Sequence, residues 1–157
     1  WRVGDTYNVS IGQGDLLVTP IALLNSLAAI VNGGTLWAPK LVAGAPPRVL
    51  RDDRDFASEL AEVVRGMRDG VAEEYGTAHL LSSLPLSAVG KTGSAQIMNN
   101  TKINAFFTGC APVPWSDAAP PLCLLVLVEN AKGGSLNAGP VARDVFDWYY
   151  ENRLSAR

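Results

Sequence analysis

The chain has 157 residues, of which 48% are apolar and 18% charged, and its net charge is −2. That length supports one domain with a core, and the balance is globular rather than disordered. No basic stripe runs along it, which argues against nucleic acid as a partner, and its longest apolar runs, 21–31 and 122–128, are too short to span a bilayer.

Residues 1–18 are rich in Gly and Asp and read as a loop or short extended piece around Gly12-Gln13-Gly14. Trp1 opens mid-pattern, with no basic leader before an apolar run, so no signal peptide is visible and the chain reads as an excerpt from something longer. Thr19-Pro20 opens a helix, with Thr as the cap and Pro at the first helical position. Ile21 to Val31 is apolar nearly all round, which predicts a buried helix. Asn32-Gly33-Gly34 ends it. Residues 35–50 hold Pro39, Pro46 and Pro47 and read as an extended connection.

A second helix is expected from about Asp55 to Met67. Phe56, Leu60, Val63, Val64, Met67 and Val71 fall on one face at steps of three and four. Glu59, Glu62 and Arg65 take the other, and Gly70 and Gly76 break the pattern. Tyr75-Gly76-Thr77-Ala78 starts a short helical turn. Leu86–Ile97 then reads as a strand, Met98 to Thr101 as a turn, and Ile103–Ala111 as a second strand. Four prolines make 112–121 a loop. Leu122–Val128 is a third strand, and its unbroken apolarity predicts cover on both faces. After a Gly133-Gly134 turn, a last helix opens at Asn137 to Pro140 and runs to about Arg153. Its apolar face is Val141, Ala142, Val145, Phe146 and Tyr149. The order of helices, antiparallel meander and helix is an α+β arrangement, with 1–157 as part of one domain.

Lys91-Thr92-Gly93-Ser94 lies inside the first long strand. An ammonium beside two hydroxyls suits a carboxylate ligand. Gly93 lets a ligand approach the backbone, and a free N–H there can stabilise an oxyanion. An ordinary strand with a surface lysine would look the same, because the tripeptide is short. Lys-Thr-Gly is, however, a motif of penicillin-binding proteins and β-lactamases.

The chain as a whole resembles the class B penicillin-binding proteins, above all the elongation-type enzymes like penicillin-binding protein 2. Several segments carry the resemblance in order. They are Gly4-Asp5-Thr6, Asn8 to Gly14, Leu17 to Pro20, Ala28 to Thr35, Gly76-Thr77-Ala78, Gly90 to Gln96, Asn104 to Gly109 and Ala138 to Ala142. The resemblance implies the C-terminal part of the penicillin-binding and serine β-lactamase fold. It also implies a peptidoglycan D,D-transpeptidase that is acylated on serine by a stem peptide ending in D-Ala-D-Ala, and by β-lactams.

By resemblance, Lys91 sets the positive field and Thr92 binds the substrate carboxylate, with Gly93 and Gln96 beside it on the binding wall. The Ser94 N–H forms one arm of the oxyanion hole, and Ser94 stands where the family commonly has threonine. No metal or organic cofactor is implied. The resemblance further implies cell-wall elongation partners, and a membrane-anchored parent working outside the cytoplasmic membrane.

Two departures matter. No serine in the chain has a lysine three residues later, so the family's Ser-x-x-Lys nucleophile is absent. Its Ser-x-Asn motif is matched only by Ser135-Leu136-Asn137, which follows the third strand instead of preceding the Lys-Thr-Gly strand. That match reads as chance, with Asn137 as a helix cap. This chain alone is therefore expected to be inactive and to need the N-terminal half of the same domain. A non-catalytic β-lactam sensor and a structural module retaining the fold remain as alternatives.

His79 reads as a partly exposed helix residue rather than a base. Gln13 reads as loop structure, although the resemblance places it near the cleft rim. Asp15 stands where the family has a bulkier residue. If Ala111 pairs with Leu122, Cys110 lies opposite Cys123 and the pair can reach disulfide distance. The long loop between them leaves the register open, and two buried free thiols are the alternative.

Overall fold

The structure, a computed structural model, describes residues 1–14, 16–97, 101–116 and 119–155. The expected turn at Met98-Asn99-Asn100 and the residue Asp15 lie outside them.

The N-terminus departs from the sequence reading, because Val3–Ser10 forms a helix, α1, instead of a loop. The Asp5 carboxylate accepts the Arg2 backbone N–H at 2.7 Å, and the Trp1 indole donates to the Thr6 hydroxyl at 2.8 Å. These local bonds close the first turn. The helix buries no residue, so it carries no apolar stripe for a pattern to detect.

Helix α2, Pro20–Val31, starts where expected, with the Thr19 hydroxyl accepting the Ala22 N–H at 3.3 Å. It is not buried all round. Only Leu27 is fully buried, and Ile21 is 55% exposed. One side packs on α3 and the main sheet, and the other is open. The Asn32 side chain ends the helix by accepting from the Gly34 and Thr35 N–H groups. Strand β1, Thr35–Trp37, pairs antiparallel with β2, Val49–Asp52, so the expected connection is a small hairpin with its prolines in the loop.

Helix α3, Ala57–Ala72, runs through Gly70 rather than breaking there. Gly70 faces the Gly90 carbonyl of the neighbouring strand, and its own carbonyl accepts the Ala78 N–H at 3.0 Å. A Cβ there would keep ordinary contact distance from the Gly90 carbonyl, 3.6 Å, so the helix continues past this glycine without needing it. Met67 and Val71 are buried, while Phe56 and Val63 of the expected apolar face stay half exposed. A short helical turn at His79–Leu81 follows, and His79 is partly exposed, with Nδ1 3.2 Å from the Val71 carbonyl.

The main sheet has the order β3-β4-β5 and is antiparallel throughout. Its strands are β3, Val89–Ile97, β4, Lys102–Ala111, and β5, Leu122–Val128. Alternation sorts the side chains of β5. Leu122, Leu124, Val126 and Val128 join the cluster around Phe107 and Phe146, whereas Cys123 joins the one around Leu27 and Met67. Every β5 residue is nevertheless only partly buried, so full cover of both faces does not hold. Among the described residues, no strand pairs with its outer edge.

Cys110 pairs with Cys123 in the strand register, their Cα atoms are 4.1 Å apart, and the structure joins them in a disulfide. The last helix, α4, Gly139–Tyr149, buries Ala142 and Phe146 against the sheet. Phe146 meets Phe107 edge-on, with ring centroids 6.5 Å apart. Val141 and Val145, expected on the packed face, remain partly exposed. Tyr149 reaches the Pro120 carbonyl with its hydroxyl at 2.9 Å, tying α4 to the β4–β5 loop.

Asn137 does not cap α4. Its Oδ1 accepts the Lys132 and Gly133 N–H groups at 2.9 and 3.3 Å, which folds the chain back after β5.

Candidate functional site

Strand β3 has β4 on one side and, among the described residues, no partner strand on the other. A cleft of about 310 Å³ is lined by Thr92, Gly93 and Ser94 of β3. Gly133, Gly134, Ser135 and Leu136, from the turn after β5, form the facing wall, and Thr77 closes one end.

The walls touch at their base. The Ser94 hydroxyl accepts the Gly134 N–H at 3.3 Å. A Cβ on Gly134 would lie 2.6 Å from the Gly93 carbonyl oxygen and 2.9 Å from its nitrogen. Only a residue without a side chain fits between the turn and the strand. At the other end, the Thr92 hydroxyl donates to the Thr77 hydroxyl at 2.8 Å.

Lys91 is exposed and does not line the cleft directly. Its ammonium donates to the Thr92 carbonyl at 2.7 Å, which keeps a positive charge beside the wall. Gln96 also lies outside the cleft. Its backbone N–H donates to Oε1 of Gln13 at 3.3 Å, while Nε2 of Gln13 donates to the Ser94 carbonyl at 3.1 Å. Of the residues singled out in the sequence, Thr92, Gly93 and Ser94 therefore meet in one cleft, with Lys91 behind it and Gln96 beyond it.

Sequence reasoning missed Thr77, Gly133, Gly134, Ser135 and Leu136 as cleft residues. Gly133-Gly134 carried a signal, since paired glycines after a strand mark either a turn or a close backbone approach, and here they do both. Ser135 and Leu136 were set aside with the out-of-order Ser-x-Asn match, yet they form the wall facing β3.

The carboxylates with shifted protonation lie outside this lining. Arg54 hydrogen-bonds Asp52 and holds its carboxyl well below the usual range, at about 2, and the Ser58 hydroxyl lowers that of Glu59. Among the described residues, no cluster of His, Cys, Asp or Glu is placed to hold a metal ion. What the cleft offers is hydroxyls and backbone polar groups, with the Lys91 cation beside it, a set suited to a small anionic ligand.

Comparison with known proteins decides the family. Residues 1–147 match the penicillin binding protein transpeptidase domain. The chain belongs to that transpeptidase family. It is 33% identical to the peptidoglycan D,D-transpeptidase MrdA of Haemophilus influenzae, over 98% of this chain and 27% of that protein. Among solved structures it resembles penicillin-binding protein 2 in its complex with MreC from Helicobacter pylori. The TM-score there is 0.79 at 28% identity, over 96% of this chain and 28% of that one. A chain of a peptidoglycan synthase complex that coordinates polymerization and crosslinking gives 0.79 at 33% identity, over 98% and 27%. The chain thus spans about a quarter of the length of these relatives. The transpeptidase fold accounts for the three-stranded antiparallel sheet with flanking helices.

Proposed function

We propose that this chain forms the carboxylate-binding wall of a peptidoglycan D,D-transpeptidase that works outside the cytoplasmic membrane. The observation that carries this reading is that Thr92, Gly93 and Ser94, on a strand with no second partner among the described residues, together line one cleft. The substrate is a stem peptide ending in D-Ala-D-Ala, and β-lactams react at the same place. Lys91 sets a positive field beside the cleft and Thr92 holds the terminal carboxylate, with Gly93 giving the ligand room. The Ser94 N–H faces the open edge, as the carbonyl of the same residue does, and stabilises the oxyanion of the acyl-transfer step.

The nucleophile comes from another part of the domain, because no serine here has a lysine three residues on. Two features support a missing partner segment. The outer edge of β5 lacks a strand among the described residues, and Leu16, Leu17, Val18 and Ile21 present a run of exposed apolar surface. The likeness to a protein solved with MreC supports cell-wall elongation partners for the complete protein. Among the described residues no helix is long and apolar enough to cross a membrane, so an anchor would lie elsewhere.

The test is fluorescent penicillin labelling of the full-length protein, with and without Lys91→Ala. Covalent labelling of the wild type that falls steeply in the variant is the expected result. No labelling at all would favour a structural module. Labelling without turnover of a D-Ala-D-Ala substrate would favour a sensor.

A further inference from the structure

Gln13 sits on the strand edge that the transpeptidase reading depends on, yet that reading gives it no task. Its primary amide spans two backbone groups of β3, donating to the Ser94 carbonyl at 3.1 Å and accepting the Gln96 N–H at 3.3 Å. Residues two apart in a strand turn their backbone groups to the same edge. Ser94 and Gln96 therefore both face away from β4, toward the side where an extended ligand would add as a strand.

The approach of Gln13 is built by its surroundings. Its N–H donates to the Asn8 carbonyl at 2.8 Å, the end of α1. Gly12 and Gly14 on either side have φ of 72° and 76°, in the left-handed region that a side chain disfavours. The loop is thus fixed so that the one side chain between two glycines meets the edge. The contact itself is two neutral hydrogen bonds of ordinary to long length in a solvent-open setting, the kind that an incoming amide can replace.

We propose that Gln13 is a positioning residue for the acyl donor. Its amide occupies the Ser94 carbonyl in the empty protein and yields it to an amide N–H of the arriving donor, while its bond to Gln96 limits how far the donor pairs along β3. This rests on the reading of β3 as the donor-binding wall. A donor with a backbone-like amide beside the reacting carbonyl replaces the bond that Gln13 gives up, whereas a donor without one leaves Gln13 in place, so Gln13 narrows the difference between the two.

The test uses the full-length protein and two unlabelled β-lactams with the same bicycle and carboxylate. Benzylpenicillin carries a 6-acylamino N–H, and penicillanic acid carries no group there. Second-order acylation rates are read by competition with a fluorescent penicillin. Gln13→Ala is expected to raise the ratio of benzylpenicillin to penicillanic acid rates at least threefold. Gln13→Glu should raise it as well, because a carboxylate keeps the acceptor for Gln96 but cannot donate to Ser94. That variant carries the comparison if the alanine variant loses its cooperative melt. Rates that change by one common factor for both compounds, or not at all, would mean that Gln13 only braces the strand, and would overturn the proposal. A wild type that no penicillin labels would overturn the transpeptidase reading, and this inference with it. A labelled wild type with an unchanged ratio in both variants would overturn the role of Gln13 alone.

Discussion

Gly134 and Gly93 lie backbone to backbone, so close that a Cβ on Gly134 would come 2.6 Å from the Gly93 carbonyl oxygen. The obstacle is main chain on both sides, which cannot swing away as a side chain does. Gly134→Ala is therefore expected to push the 133–136 wall off β3. Overpacking of this kind costs about 1–3 kcal/mol. Thermal melting and penicillin acylation of the full-length protein should both fall. A variant with the wild-type melting temperature and acylation rate would show that the walls are not in register as described.

Thr92 and Thr77 share a hydroxyl–hydroxyl bond of 2.8 Å at one end of the cleft. A hydroxyl can accept from one neighbour and donate to another, so a carboxylate can take the Thr92 proton while Thr77 donates in return. Thr92→Val keeps the shape and removes that donor. A hydrogen bond to a charged group contributes about 1.5–3 kcal/mol, or roughly 10- to 150-fold. The acylation rate should fall by that range in Thr92→Val and far less in Thr92→Ser. Equal rates in all three proteins would remove Thr92 from the binding wall.

The legible part of this fold was its periodic part. The three strands of the main sheet were read to within a few residues at their ends, because alternation and turn residues leave a local trace. Thr19-Pro20 likewise marked the start of α2. Helix α1 left no trace, since none of its residues is buried and its cap depends on a single Asp5 carboxylate. Burial of α2 was overestimated for a different reason. An all-round apolar helix reports what surface it can bury, not what surface this chain supplies. At the site, Thr92-Gly93-Ser94 was readable as a motif. The resemblance put Gln13 near the rim, but its bonds to β3 were not readable, because they span residues 13 and 94 to 96, and no local pattern encodes a separation of that size.

The Cys110–Cys123 pairing has a direct chemical test. No Lys or Arg lies between Lys102 and Lys132, so trypsin leaves both cysteines in one peptide, 103–132. If the bond forms, that peptide from the full-length protein, digested without reduction, should weigh two hydrogens less than after reduction. Alkylation of both thiols in denaturant without reductant would exclude the bond. Closing a loop of this length stabilises by about 3 kcal/mol in the chain-entropy picture. A Cys110→Ala, Cys123→Ala double variant should therefore melt several degrees lower.

The Asp52–Arg54 pair on the hairpin predicts a pH effect with a definite sign. The Arg54 side chain donates to both carboxylate oxygens, at 2.6 to 3.1 Å, and lowers the Asp52 pKa from 3.8 to about 2. The folded state thus holds this proton less tightly than the unfolded chain. Its contribution to stability is present above about pH 4 and is lost as pH falls through about 2. Both side chains are exposed, so the effect on global melting should be small. The sharper readout is the carboxyl resonance of Asp52, which should titrate near 2 and move back toward 3.8 in Arg54→Gln. A wild-type midpoint near 3.8 would show that the ion pair does not persist in solution.

The apolar flank and the bare edge of β5 predict how residues 1–157 behave alone. Leu17 is 92% exposed, Ile11 75% and Val18 57%, and these lie close in sequence to the half-exposed start of α2. β5 adds a wholly apolar strand whose outer edge has no partner among the described residues. Exposed apolar surface beside an unpaired edge invites association between copies. The segment expressed alone should therefore be oligomeric or aggregated by light scattering. Amide exchange across 122–128 should be much faster than in the full-length protein, where the proposed N-terminal half of the domain would cover that edge. A monodisperse monomer with slow exchange in 122–128 would show that this segment folds unaided, and the need for a completing half would fall with it.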